Sequence, residues 1–249
     1  MDVNAPACCP RSRTLSQRWN HEARPGDNKW TAGIFARNPD TGRARWFYQW
    51  SPHDVFDHDG INEQILLDMD WKGQPRKVLV RPERNGFVYV LDRVTGEVLS
   101  ATPYHYLTSV SGVDLKTGRL QMVEAKIPKT GQTVRDICPN ASGAKDWNPS
   151  AYSPQTGLLY IPHVNLCMDV QGLEANYIAG TPYVGMNVRM KAGPGGYPRG
   201  PRGLVDQGEL PAVERGAGHR RRARLLRHHG RLVQGGRRQF RQGAVPEAA

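Results

Sequence analysis

The segment Pro52-His53-Asp54-Val55-Phe56-Asp57-His58-Asp59-Gly60-Ile61-Asn62-Glu63 gathers four carboxylates and two imidazoles within eleven residues. Side chains two apart in an extended chain share a side, so Asp57 and Asp59 are expected to point the same way. Two carboxylates on one face repel each other unless a cation or a proton lies between them. Such oxygen donors suit a hard ion, calcium or a trivalent lanthanide, better than zinc. An isolated Asp-x-Asp is more often a solvated acidic loop, so its surroundings carry the weight.

The elements that must position this cluster read as strands. Helical periodicity is scarce between residues 28 and 190. Short β-rich runs stand instead at Ile34–Arg37, Arg45–Trp50, Val78–Arg81, Phe87–Asp92, Glu97–Ser100 and Leu158–Pro162. Turn chemistry separates them (Asn38-Pro39-Asp40, Arg84-Asn85-Gly86, Ser153-Pro154), which argues for an all-β sandwich, barrel or propeller. Thr-Gly recurs at Thr41-Gly42, Thr95-Gly96, Thr117-Gly118 and Thr156-Gly157, with Asp40, Asp92 and Asp114 nearby. Glycine supplies the positive φ of a tight turn, and the acid can accept from its own downstream backbone. The recurrence fits ordinary hairpins or the repeated blade of a propeller. All six Trp lie between Trp19 and Trp147, as aromatic docking between blades would require.

Charge is distributed unevenly. The formal net charge is +11, yet residues 199–249 hold 12 Arg against 4 acids, and the first 198 residues carry only +3. A basic chain first suggests a nucleic-acid or membrane-surface partner, but here the basic character belongs to one end. Cys8, Cys9, Cys138 and Cys167 are compatible with disulfides in an exported protein without establishing them. No apolar run approaches the ~20 residues of a spanning helix, and no apolar core of a signal peptide follows Met1.

Longer motifs surround the carboxylates. Arg24-Pro-Gly-Asp-Asn-Lys-Trp30 leads into Trp46-Phe-Tyr-Gln-Trp-Ser-Pro-His-Asp54, then Arg81-Pro-Glu-Arg-Asn-Gly-Phe-Val-Tyr-Val-Leu-Asp-Arg93 and Asn165-Leu-Cys-Met-Asp169. In this order they resemble the quinoprotein methanol and ethanol dehydrogenases, periplasmic eight-bladed propellers that hold pyrroloquinoline quinone (PQQ) in a central funnel. The resemblance covers residues 19–198 and implies an all-β fold, a partial eight-bladed β-propeller. Under it, Asp57 matches the catalytic base beside the metal, and Asp59 the second aspartate of lanthanide-dependent members. Arg84 matches the arginine that bonds the reactive quinone carbonyl. Asp146 matches a polar partner on the quinone side, placed to orient Arg84 through a charge-assisted pair. Cys138 and Cys167 match the family disulfide. The resemblance further implies PQQ and a lanthanide, with calcium as alternative, and a small primary alcohol as substrate. It also implies a c-type cytochrome as acceptor, a homodimeric full-length parent in the periplasm, and no nucleic-acid partner. In the implied mechanism the metal polarises the quinone carbonyl, Asp57 takes the alcohol proton and Arg84 stabilises the growing negative charge.

The match has edges. The family's other metal ligands, a glutamate and an asparagine, come from segments ahead of Asp57; the asparagine's Gly-Asn-Pro stretch is replaced here by Ser12-Arg-Thr-Leu-Ser-Gln-Arg18. The family's vicinal disulfide lies far upstream, so Cys8-Cys9 takes no role. Residues 199–249 read either as a disordered basic tail or as an out-of-frame stretch. One base later, Arg224 to Pro246 can spell Val-Phe-Tyr-Gly-Thr-Met-Asp-Gly-Trp-Phe, then Asp-Gly-Asn-Ser-Gly, which is propeller grammar. Residues 1–18 read as a second such stretch. The expected organisation is 1–18 atypical, 19–198 partial propeller and 199–249 tail. An inactive isolated chain follows, since three or four blades cannot close the ring. A non-catalytic propeller scaffold and a basic nucleic-acid binder are the alternatives; the carboxylate cluster speaks against the first, and only the tail supports the second.

Overall fold

In the computed structural model, which describes residues 19–22, 24–174, 184–195 and the backbone of 204–205, the chain is built of antiparallel strands. β1 (Gly33–Arg37) pairs with β2 (Ala44–Gln49). β3 (Ile65–Trp71), β4 (Gln74–Pro82), β5 (Phe87–Asp92) and β6 (Val98–Pro103) form a four-stranded meander in chain order. β7 (Val110–Asp114) and β8 (Arg119–Met122) make another hairpin. β12 (Leu166–Gly172) lies between β9 (Thr133–Ile137) and β13 (Met186–Ala192). β10 (Ala151–Ser153) pairs with β11 (Leu158–Tyr160), and β14 (Leu204–Val205) adds to β11. The one helical piece among the described residues is a 3-10 turn at Glu124–Lys126. These small sheets are the blades of a partial β-propeller. The readings of residues 1–18 and 199–249 fall outside the described residues, apart from the backbone of Leu204–Val205.

The four-stranded blade explains why Phe87–Asp92 reads so clearly as a strand. Phe87, Tyr89 and Leu91 face one side, joining Leu79, Ile34, Tyr48, Trp50, Val110 and Leu120 in one core. Val88 and Val90 face the other, with Val78, Val80, Met69, Trp71, Leu159 and Ile161. All six residues of β5 are buried, so its apolar run is unbroken rather than alternating. A third core joins Val55 and Phe56 to Ile137, Met168, Val170 and Met186 on the β9–β12–β13 sheet. It anchors the chain immediately before Asp57.

The four Thr-Gly turns share one construction. The glycine N–H returns to the residue four before it: Gly42 to Asn38, Gly96 to Asp92, Gly118 to Asp114 and Gly157 to Ser153, at 2.7–2.8 Å. Every one of these glycines has φ between +69° and +85°. At the first turn the side chain accepting from the backbone is Asn38 rather than Asp40, whose own N–H donates to Asn38 Oδ1 at 3.0 Å. At the fourth it is Ser153. The acceptor four residues ahead of glycine defines the turn, and its acidity does not. Aromatic docking is also present: Trp46 Nε1 donates to Arg93 O at 3.2 Å and Tyr48 OH to Gly118 O at 2.7 Å. A Cβ at Gly96 would stand 2.8 Å from Trp46 Cδ2.

Asp92 adds a measurable pH dependence. Its Oδ1 accepts from Val94 N and Thr95 N, and its Oδ2 from Arg76 at 2.7 Å. Burial pushes its carboxyl up, but Arg76 and the two amides outweigh that and hold it below 3.8. A depressed folded value contributes stability above the unfolded value, and that contribution is lost as pH falls through the folded value. Asp92→Ala is expected to cost about 1–2 kcal/mol near neutrality and to flatten the acid limb of stability below pH ~4. Urea unfolding at neutral and acid pH checks this; equal acid losses in variant and wild type would exclude it.

Cys138 and Cys167 form a disulfide across 29 residues. The loop so closed contains Asp146.

Candidate functional site

The carboxylate loop is not extended. Residues 54–64 adopt no regular structure and Asp57 has φ +68°, in the left-handed region. The expectation that alternation would align Asp57 and Asp59 is therefore corrected. Val55 and Phe56 plug into the third core, and the chain must turn sharply to leave it. The turn itself brings the two side chains together, within hydrogen-bonding reach of each other.

Their electrostatics are those of an uncompensated cluster. Burial pushes Asp59 up to about 8, aided by the charges of Asp54 and Asp57. Burial and then Asp54 raise Asp57, with Arg84 opposing. Asp54 is raised by burial as well. His58 offers no counter-charge: burial holds it down to about 4, and its Nε2–H donates to Asn140 O at 2.9 Å. Asp59 Oδ1 is buried without a hydrogen-bond partner. A cation beside Asp57 and Asp59 would remove the repulsion and supply the missing contact, so the residues fit one. Among the described residues, no three His, Cys, Asp or Glu side chains converge as a metal-holding group. Two carboxylates alone would make only part of the ligand set of such an ion.

Arg84 stands over this loop. Nη1 donates to Asp57 O at 3.0 Å and Nη2 to Asp146 Oδ1 at 2.9 Å, while Nε is buried with no partner. The arginine stem runs in a slot between two glycines. A Cβ at Gly60 would stand 2.8 Å from Arg84 Cγ and Cδ, and one at Gly143 2.5 Å from Arg84 Cβ. The structure thus brings Asp57, Asp59, Arg84 and Asp146 together.

Sequence reasoning missed the buried charges that support them. Arg81 donates through Nε to Glu83 Oε2, through Nη1 to Asn62 O and through Nη2 to Gly60 O, with its guanidinium over Trp50. Glu83 Oε1 accepts from Arg84 N at 2.8 Å. Lys145, with no exposed side-chain surface, donates to Glu63 Oε2 at 2.9 Å. Glu63 was within the acidic run. Nothing in the sequence marks Lys145, whose partner lies 82 residues away.

Residues 10–106 match the model of the PQQ-containing glucose/ethanol/alcohol dehydrogenase β-propeller domain. The chain is 50% identical over 176 residues to a lanthanide-dependent methanol dehydrogenase of Methylacidiphilum fumariolicum, covering 70% of this chain and 29% of that protein. It is 45% identical over 188 residues to another from Methylorubrum extorquens, covering 72% and 31%. Subunit 1 of a methanol dehydrogenase [cytochrome c] from the same organism is 39% identical over 180 residues, covering 72% and 29%. Among solved structures, a europium-containing methanol dehydrogenase superposes with a TM-score of 0.68 at 50% identity, over 71% of this chain and 31% of that one. The chain therefore spans 29–31% of the length of these relatives.

Proposed function

Because this chain belongs to the PQQ-dependent alcohol dehydrogenase family, we propose that it supplies the base and part of the metal site of an enzyme oxidising methanol or small primary alcohols to aldehydes. One observation carries the reading: two crowded, partly unsatisfied aspartates lie beside an arginine whose Nε–H is buried and free. Asp57 and Asp59 hold the cation, a lanthanide in preference to calcium, because a second carboxylate offsets the additional charge of a trivalent ion. PQQ, when bound, would supply the hydride-accepting carbonyl, and the cation held by Asp57 and Asp59 would polarise it. Asp57, kept ionised by that cation, takes the alcohol proton on its carboxylate. Arg84, with its guanidinium beside the aspartates, would stabilise negative charge developing on the quinone. Asp146 holds the guanidinium there through Nη2. Electrons pass to a c-type cytochrome, and the full-length parent is a periplasmic homodimer. A non-catalytic scaffold would leave this convergence without a role.

The test is a chimera in which these residues replace the matching 176-residue stretch of the Methylacidiphilum relative. With PQQ and lanthanum it is expected to reduce dye with methanol. A folded, PQQ-loaded chimera with no turnover would overturn the proposal. The 249-residue chain by itself is expected to give negligible turnover under the same conditions.

A further inference from the structure

Lys145 is a fully buried cation that the proposed chemistry does not use. Its Nζ donates to Glu63 Oε2 at 2.9 Å and to Asp146 O at 3.0 Å. The other oxygen of the same carboxylate, Glu63 Oε1, accepts from Ser150 N at 2.7 Å. One carboxylate thus holds both ends of segment 145–150, and Asp146 lies inside it. The segment has no regular secondary structure, so no strand ladder fixes it. Just ahead of it, Ala144 N donates to Arg84 O at 2.8 Å and Val164 N to Ala144 O at 2.9 Å. The Asp146 side chain is 40% exposed, and its hydrogen bond to Arg84 Nη2 fixes its direction. Glu63 also ends the loop that carries Asp57 and Asp59. The carboxylate half of the site and the Arg84–Asp146 half are therefore joined through this ion pair as well as through the Arg84 Nη1–Asp57 O bond.

Burying a lysine against a glutamate is costly unless their remaining donors and acceptors are satisfied. Here both Glu63 oxygens and two donors of Lys145 are engaged. Burial opposes ionisation of Glu63, but the bonds from Lys145 and Ser150 outweigh it and hold the carboxyl below its usual value. A pair this well satisfied within an irregular loop serves geometry.

We infer that Glu63 and Lys145 are positioning residues: they set Asp146 at the distance and angle at which it holds the Arg84 guanidinium. The purpose of that placement rests on the dehydrogenase reading, but the placement itself does not. It can be tested on the full chain with no cofactor, by the rate at which phenylglyoxal modifies Arg84, followed by peptide mass spectrometry. Asp146→Asn is expected to raise this rate several-fold. Lys145→Met is expected to raise it comparably, Glu63→Gln in the same direction, and Lys145→Arg to leave it near wild type. Combining Lys145→Met with Asp146→Asn should add nothing, because the lysine acts through the aspartate. The buried Arg81 serves as an internal control and should stay unmodified throughout. Three results would overturn the inference. They are an unchanged Arg84 rate in Lys145→Met, no rise in Asp146→Asn, or a Lys145→Met effect that persists in the Asp146→Asn background or extends to Arg81. A chimera inactive with methanol but showing the expected phenylglyoxal pattern would reject the dehydrogenase reading and leave this one standing.

Discussion

Asp57→Asn in the chimera is expected to lower kcat by about 10²–10⁴-fold at saturating lanthanum and methanol, the usual share of a positioned general base. Asparagine keeps the shape of the side chain and tolerates the left-handed backbone that Asp57 adopts at φ +68°. The loop should therefore survive while the proton acceptor is lost. Asp59→Asn should behave differently. It removes a charge from the cation site but no base, so the lanthanum concentration for half-maximal activity should rise on the order of 100-fold, with kcat largely recovered at saturation. Titrating lanthanum against turnover separates the two. If Asp57→Asn turned over within a few-fold of the parent chimera, its assignment as base would fail.

The largest stability effect is expected at Glu83. Its side chain has no exposed surface and that of Arg81 has 3%. Removing one member of a buried ion pair leaves the other charge uncompensated, at about 3–5 kcal/mol. Glu83→Ala should cost that much in urea unfolding of the chain. It should also loosen the 60–62 turn, whose carbonyls Arg81 holds at 2.8 Å. Replacing both members with apolar residues of similar volume should recover much of the loss. A Glu83→Ala loss below about 1 kcal/mol would mean that water reaches Arg81.

The strands legible in the sequence were those whose burial matches their composition. β5 coincides with the apolar run Phe87–Asp92, and β1, β2 and β6 fall within three residues of their expected bounds. β9 was not legible: Thr133-Val-Arg-Asp-Ile is largely polar and exposed, and it is a strand because it pairs with β12. β13 carries a signal that went unmarked, since Met186-Asn-Val-Arg-Met-Lys-Ala alternates apolar and polar along its whole length. β4 was underestimated, since only Val78–Arg81 of Gln74–Pro82 reads as a strand, and β3, Ile65–Trp71, was not marked at all. The site divides the same way. The acidic run announced Asp57 and Asp59, because density of like charge is a local property. Lys145 stayed silent, because its partner lies 82 residues away and only folding brings it near, and Glu83, though two residues from Arg81, carries no mark in the sequence of the burial that makes the pair matter.

The glycine-walled slot around Arg84 has an evolutionary consequence. Positions 60 and 143 face the same side-chain stem, and a single methyl at either would approach it to 2.8 Å or closer. Neither glycine is free to drift while the arginine remains, and the arginine cannot acquire a wider replacement while both glycines stand. The three positions are sterically coupled, so a side chain at 60 or 143 is expected to require a smaller residue or a moved stem at 84.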